Sequence, residues 1–108
     1  MEKETQQKIA QLQTIEQSMQ AFLMQKQQLQ TQLLETESAL KELDKTDKAY
    51  KIVGNLMISS DKETLKQELE EKRKTAEIRI KALEKQEKTI KEKAATIQKE
   101  VMDKLKEK

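Results

Sequence analysis

Ser59, Ser60 and Asp61 stand side by side, and Glu70 and Glu71 follow as neighbouring carboxylates. These are the residues whose types and spacing could supply a nucleophile, an acid or a general acid–base pair. A serine nucleophile needs a base beside it, and the chain has no His to provide the commonest one. Ser60 has a structural duty that accounts for it, as the N-cap of a helix. Glu70 and Glu71 fall on a solvated helix with no cleft that would raise a carboxyl pKa. With no Cys and no His, the usual zinc ligands and all thiol chemistry are missing. The single glycine, Gly54, cannot build a phosphate-cradling loop. The sequence therefore predicts no enzyme, no catalytic residues, no metal and no cofactor. What remains is the chemistry of burying apolar surface.

Composition limits how much can be buried. Of 108 residues, 34% are hydrophobic and 39% charged, with one Phe, one Tyr and no Trp, so the chain affords a thin apolar seam rather than a globular core. No stretch approaches the ~18 consecutive apolar residues of a spanning helix, and the Gln-rich, charged N-terminus lacks the apolar run of a signal peptide. The expected location is cytoplasmic, and the absence of Cys fits a reducing compartment. Charge is uneven, with a net of −2 over residues 1–48 and +4 over residues 49–108. Lys interleaved with Glu and without aromatics is a solvated face, so no nucleic acid is expected as a partner. No membrane is expected either, because the apolar stripes are needed for the seam.

The elements that must carry these residues are written in sevens. Leu12, Met19, Lys26, Leu33 and Leu40 form one heptad column, and Ile15, Phe22, Leu29, Thr36 and Leu43 form the column three residues on. In the second half Leu69, Ala76, Leu83, Ile90 and Ile97 form one column. Ile80, Ala94 and Val101 share the other with Arg73 and Glu87 as polar interruptions. No Pro obliges either helix to break, and the pairs Glu77/Lys81, Glu84/Lys88 and Glu87/Lys91 support the exposed face. Two helices of about 47 residues, each roughly 70 Å long, fold back antiparallel, so that residue i faces residue 109 minus i. The first helix should fade from Asp44 to Lys48. The second starts with Ser60 as N-cap and Glu63 completing a capping box, Asp61 adding charge to the first turn.

Between the helices lies Tyr50-Lys51-Ile52-Val53-Gly54-Asn55-Leu56-Met57-Ile58. Gly-Asn at its centre suits a type II′ two-residue turn, and the flanking apolar residues suit strands. In that register Val53 opposes Leu56 and Ile52 opposes Met57. One face then carries Tyr50, Ile52 and Met57, the other Val53, Leu56 and Ile58. Such a hairpin would aggregate unless other strands paired with it. The alternative is a loop folded over the helix ends.

This segment, followed by a charged helix with Glu77-Ile78-Arg79 and Leu83-Glu84-Lys85-Gln86-Glu87, resembles the β-type subunit of prefoldin, particularly the archaeal form. The resemblance spans nearly the whole chain, its most specific part being the Tyr-Lys-x-x-Gly and the apolar strand that follows. The short tail without Pro or Gly differs from many relatives and suggests a chain that ends close to the helix, or a trimmed one. The resemblance implies an ATP-independent chaperone in which two α-type and four β-type subunits pool their hairpins into an intersubunit β-barrel. Six coiled-coil arms hold unfolded chains for a group II chaperonin. A single hairpin marks the β type.

The expected fold is therefore mainly α: a long antiparallel two-helix coiled coil with one β-hairpin at the connection. A single domain, 1–108, comprises an N-terminal helix 1–48, an assembly hairpin 49–59 and a C-terminal helix 60–108. Subunit assembly falls to Tyr50, Ile52, Val53, Gly54, Leu56, Met57 and Ile58. The Gln-rich run from Gln11 to Leu34 is charged only at Glu16 and Lys26. Outside the seam lie Ile9, Leu23, Met24 and Leu34 in the first helix and Met102 and Leu105 in the second. The termini meet at one tip, where Ile9, Leu12 and Ile15 against Ile97, Val101, Met102 and Leu105 form the expected client-binding surface, Met suiting promiscuous contact. The competing expectation is a structural coiled-coil tether that oligomerises through its hairpin and binds one defined partner.

Overall fold

The computed structural model describes residues 2–106. Its elements are α1 (Lys3–Asp44), β1 (Ala49–Val53), β2 (Leu56–Ser60) and α2 (Lys62–Lys106). Two long helices with a two-stranded antiparallel hairpin between them are the expected fold class. All twenty heptad positions read from the sequence are buried or half-buried. The first column also continues one heptad upstream to Thr5, which is 3% exposed. Thr36 tolerates its seam position because its hydroxyl donates to the Gln32 carbonyl at 2.7 Å.

The chain divides into two compact units, residues 1–27 with 81–108 and residues 28–80. In the first, α1 and α2 pack antiparallel around Ile97 and Val101, which are buried. Ion pairs cross that seam from Glu2 to Lys104 at 3.4 Å, Lys8 to Glu100 at 2.9 Å and Lys26 to Glu84 at 3.7 Å. The last two lie within one residue of the 109-minus-i pairing. Glu84 thus reaches across to a seam lysine rather than along its own helix to Lys88. Of the three helical pairs expected, Glu87/Lys91 is the one at ion-pair distance, 3.8 Å. The second unit holds the hairpin and closes around Leu43, Ala49, Ala76 and Ile80. There Asp44 meets Lys66 at 3.7 Å, again one residue from the simple pairing. Among the described residues no side chain is less than 2% exposed. Each unit is therefore held by a thin seam, two heptad columns wide on each helix.

α1 ends through shortened turns, Lys45 N–H donating to the Glu42 carbonyl at 3.1 Å and Thr46 N–H to Leu43 at 3.3 Å. The start of α2 corrects the sequence expectation. Ser60 is not the N-cap; it is the last residue of β2, paired with Ala49. Asp61 caps the helix instead, its Oδ2 accepting from the Thr64 backbone N–H at 3.2 Å and from the Thr64 hydroxyl at 3.0 Å. Its carbonyl accepts the first helical bond, from Leu65 N–H at 3.0 Å. The ladder takes Ser60 into extended backbone, so the cap moves one residue on and Glu63 has no box to complete.

This difference is measurable. Asp61→Ala is expected to cost about 1 kcal/mol, the usual loss for a cap, whereas Ser60→Ala stays within roughly 0.5 kcal/mol. Thermal unfolding of the two variants distinguishes them; an equal loss at Ser60 would restore the capping box.

Candidate functional site

The hairpin adopts the expected register, with Val53 opposite Leu56, Ile52 opposite Met57, Lys51 opposite Ile58 and Tyr50 opposite Ser59. Gly54 turns the chain at φ +60°, and no other described residue has a positive φ. That combination, positive at the first central residue alone, is the II′ turn that Gly permits and a Cβ resists. Ala49 is buried and Lys51 Nζ bonds Glu68 Oε2 of α2 at 3.2 Å, which ties the strand to the first turns of that helix.

Beyond those ties the hairpin is bare. Ile52, Met57 and Leu56 are 67–70% exposed, and Tyr50, Val53 and Ile58 are 47–54% exposed. Six large apolar side chains within nine residues therefore face water on two sides. The edges are open as well. Pairs alternate in an antiparallel ladder, and the turn-closing pair Val53/Leu56 is of the hydrogen-bonded kind. The amides of Tyr50, Ile52, Met57 and Ser59 consequently point outward, donors without strand partners. A surface of this kind can do one thing well, which is to add strands and bury side chains against other chains.

The second surface belongs to the unit that holds both ends of the chain. Met102 is 55% and Leu105 44% exposed, while Ile9, Leu12 and Ile15 are half-buried. Ile97 and Val101 differ from the other expected tip residues. They are 7% and 8% exposed and form the seam itself, because the two columns they belong to close on α1. Lys8 spans this seam to Glu100 and also approaches Glu4 at 3.7 Å. The hydrogen bond that the Lys8 ammonium donates to the Glu100 carboxylate raises its pKa above the ordinary value of 10.5, against a smaller opposing effect of desolvation. Leu23, Met24 and Leu34 are exposed as the heptads required. Ile78, also outside both columns, is 68% exposed.

The residues first considered for chemistry are all accounted for in structure. Ser59 and Ser60 are strand residues, Asp61 is a cap, and Glu70 bonds Arg73 Nη2 at 2.6 Å. A hollow of about 400 Å³ is lined by Lys51, Lys72 and Arg79 together with Glu68 and Glu71, charges of both signs. Among the described residues no group of three His, Cys, Asp or Glu is placed to hold a metal ion, and no helix is long and apolar enough to cross a membrane.

Comparison with known proteins agrees with this architecture. A family model described as "Prefoldin subunit" matches residues 6–108. The "Prefoldin subunit beta" of Archaeoglobus fulgidus is 42% identical over 98 residues, 88% of this chain and 84% of that protein. That of Pyrococcus furiosus is 44% identical over 88 residues, 79% of this chain and 75% of its own length. In structure, the prefoldin beta subunit from Thermococcus strain KS-1 matches with a TM-score of 0.87 at 34% identity, covering 96% of this chain and 94% of that one. The chain belongs to the prefoldin family, as a β-type subunit, and so to a family of chaperones rather than enzymes.

The Lys8–Glu100 bond yields a titration. A group whose pKa is raised by folding contributes stability below its ordinary value and loses that contribution as pH rises through the raised one. Lys8 is therefore expected to titrate above 10.5, and Glu100→Gln to bring it back down. Nuclear magnetic resonance of the Lys8 side chain reads this directly; an unmoved Lys8 in Glu100→Gln would mean that the pair does not form.

Proposed function

We propose that this chain is one of four β-type subunits that join two α-type subunits in a cytoplasmic hexamer. Its 108 residues act in it as a single domain. The hairpins pool into a β-barrel through Tyr50, Ile52, Val53, Gly54, Leu56, Met57 and Ile58. Coiled-coil arms then hold unfolded proteins, without ATP, and pass them to a group II chaperonin. The observation that carries the assembly is the bare hairpin. Six exposed apolar side chains and four outward amides, on a turn joined to well-closed helices, need strand partners from other chains.

Client holding is assigned to the tip residues Ile9, Leu12, Ile15, Ile97, Val101, Met102 and Leu105. Exposure ranks them. Met102 and Leu105 meet a client first, Ile9, Leu12 and Ile15 offer partial faces, and Ile97 and Val101 take part only where the seam opens. Each contact is weak, but several arms around one client raise the effective concentration of the next contact and multiply weak affinities. Flexible, polarizable Met suits clients of many sequences.

Two experiments test the two halves. Ile52→Asp with Ile58→Asp is expected to abolish the oligomer in mass measurements with an α-type partner, while helical circular dichroism persists, because the helices zip through their own seam. A native mass in that double variant would exclude the barrel. Deleting residues 1–11 and 99–108 is expected to spare the oligomer and greatly reduce suppression of aggregation of denatured test proteins. Undiminished protection would move client binding away from the tip. Protection confined to one defined protein would favour a tether over a chaperone.

A further inference from the structure

The unit formed by residues 1–27 and 81–108 carries a second apolar feature away from its terminal residues. It is an open groove of about 600 Å³ lined by Phe22, Ala82, Lys85, Gln86, Thr89 and Ile90. Ala82, Lys85, Gln86 and Thr89 recur in steps of three and four, so they share one face of α2, and Lys93 continues that face four residues further. Phe22, the only Phe of the chain, and Ile90 are half-buried and give the groove its apolar floor. Thr89 adds no free hydroxyl, since it donates to the Lys85 carbonyl at 3.1 Å. The volume lies within the ~300–1,000 Å³ typical of ligand pockets.

Lys85 is the only charged residue that lines the groove. Two nearby carboxylates are engaged elsewhere, Glu84 with Lys26 at 3.7 Å across the seam and Glu87 with Lys91 at 3.8 Å, while Glu92 is exposed beside Lys93, outside the lining. Lys85 and Lys93 have no carboxylate at ion-pair distance among the described residues, and both are exposed. On α1 the residues four before and three after Phe22 are Ser18 and Gln25, which carry no charge. An apolar floor walled by the free Lys85 ammonium, with Lys93 next along the same helix face, complements an apolar segment that carries acidic residues.

We propose that this groove is a client subsite, and that it selects apolar stretches of unfolded chains flanked by Glu or Asp. The proposal rests on the chaperone reading and adds to it a substrate class and a place. Burial against Phe22 and Ile90 supplies attraction, and Lys85 and Lys93 supply the preference, since exposed charge pairs are individually weak but tell acidic from basic segments.

The test uses the chain assembled with its α-type partner and two fluorescein-labelled peptides with the same apolar residues, one flanked by Glu and one by Lys. Anisotropy is expected to give about tenfold tighter binding of the Glu peptide, the gap closing as salt screens the rim. Lys85→Glu with Lys93→Glu should reverse the order with helical circular dichroism unchanged, and Thr89→Trp, which fills the groove, should weaken both peptides. Equal affinities, or an unchanged order in the double variant, would overturn the proposal. So would a concentration-dependent doubling of mass abolished by Thr89→Trp, which would make a second copy the occupant. Suppression of aggregation is measured on the same samples. Holding without peptide preference sinks the groove alone, and peptide preference without holding sinks the chaperone reading alone.

Discussion

Everything in this chain depends on a seam only two heptad columns wide on each helix. With 39% of its residues charged, the chain has only enough apolar side chains for two heptad columns per helix, and none of the described residues becomes less than 2% exposed. Helices of 42 and 45 residues gain little from propensity or from salt bridges worth tenths of a kcal/mol. Their stability comes from matching column to column. Most large apolar side chains outside the columns stay exposed for that reason. The hairpin, Met102 and Leu105 are available to other molecules because they lie outside the columns, and the Phe22 groove because the seam leaves Phe22 and Ile90 only half-buried.

Polar positions interrupt the seam, and one of them is paired across it. Lys26 occupies an apolar column and is balanced from the opposite helix by Glu84. Arg73 bonds Glu70 through Nη2, while its buried Nε finds no partner, an omission of the order of 1–3 kcal/mol. Glu87 is held by Lys91. A slip of one heptad would leave the apolar columns matched but would carry Lys26 seven residues away from Glu84. A polar pair across the seam such as Lys26–Glu84 lowers stability while disfavouring other registers, as a buried Asn does in a coiled coil.

Most of the fold was legible because it is periodic. The columns from Leu12 to Leu43 and from Leu69 to Val101 are buried or half-buried at every position, and a Gly-Asn pair between apolar runs fixed the turn and the pairing. What stayed hidden depends on neighbours rather than on spacing. Ser60 and Asp61 are both good caps, and only the ladder's extension to Ser60 decides between them. Glu84 could have paired along its helix with Lys88 but finds Lys26 across the seam. Thr5, being polar, concealed that its column runs one heptad further. Ile97 and Val101 read both as seam and as tip, and their 7% and 8% exposure shows how completely the seam claims them. The groove was out of reach of any pattern, since it combines a residue of α1 with a face of α2.

The central claim is that the hairpin is completed by other chains. Its most direct test is hydrogen exchange at the outward amides of Tyr50, Ile52, Met57 and Ser59, in the chain alone at high dilution and in the assembly with an α-type partner. The account predicts fast exchange in the lone chain and strong protection in the assembly, with the seam helices protected in both. Equal exchange at these four amides in the two states would contradict it.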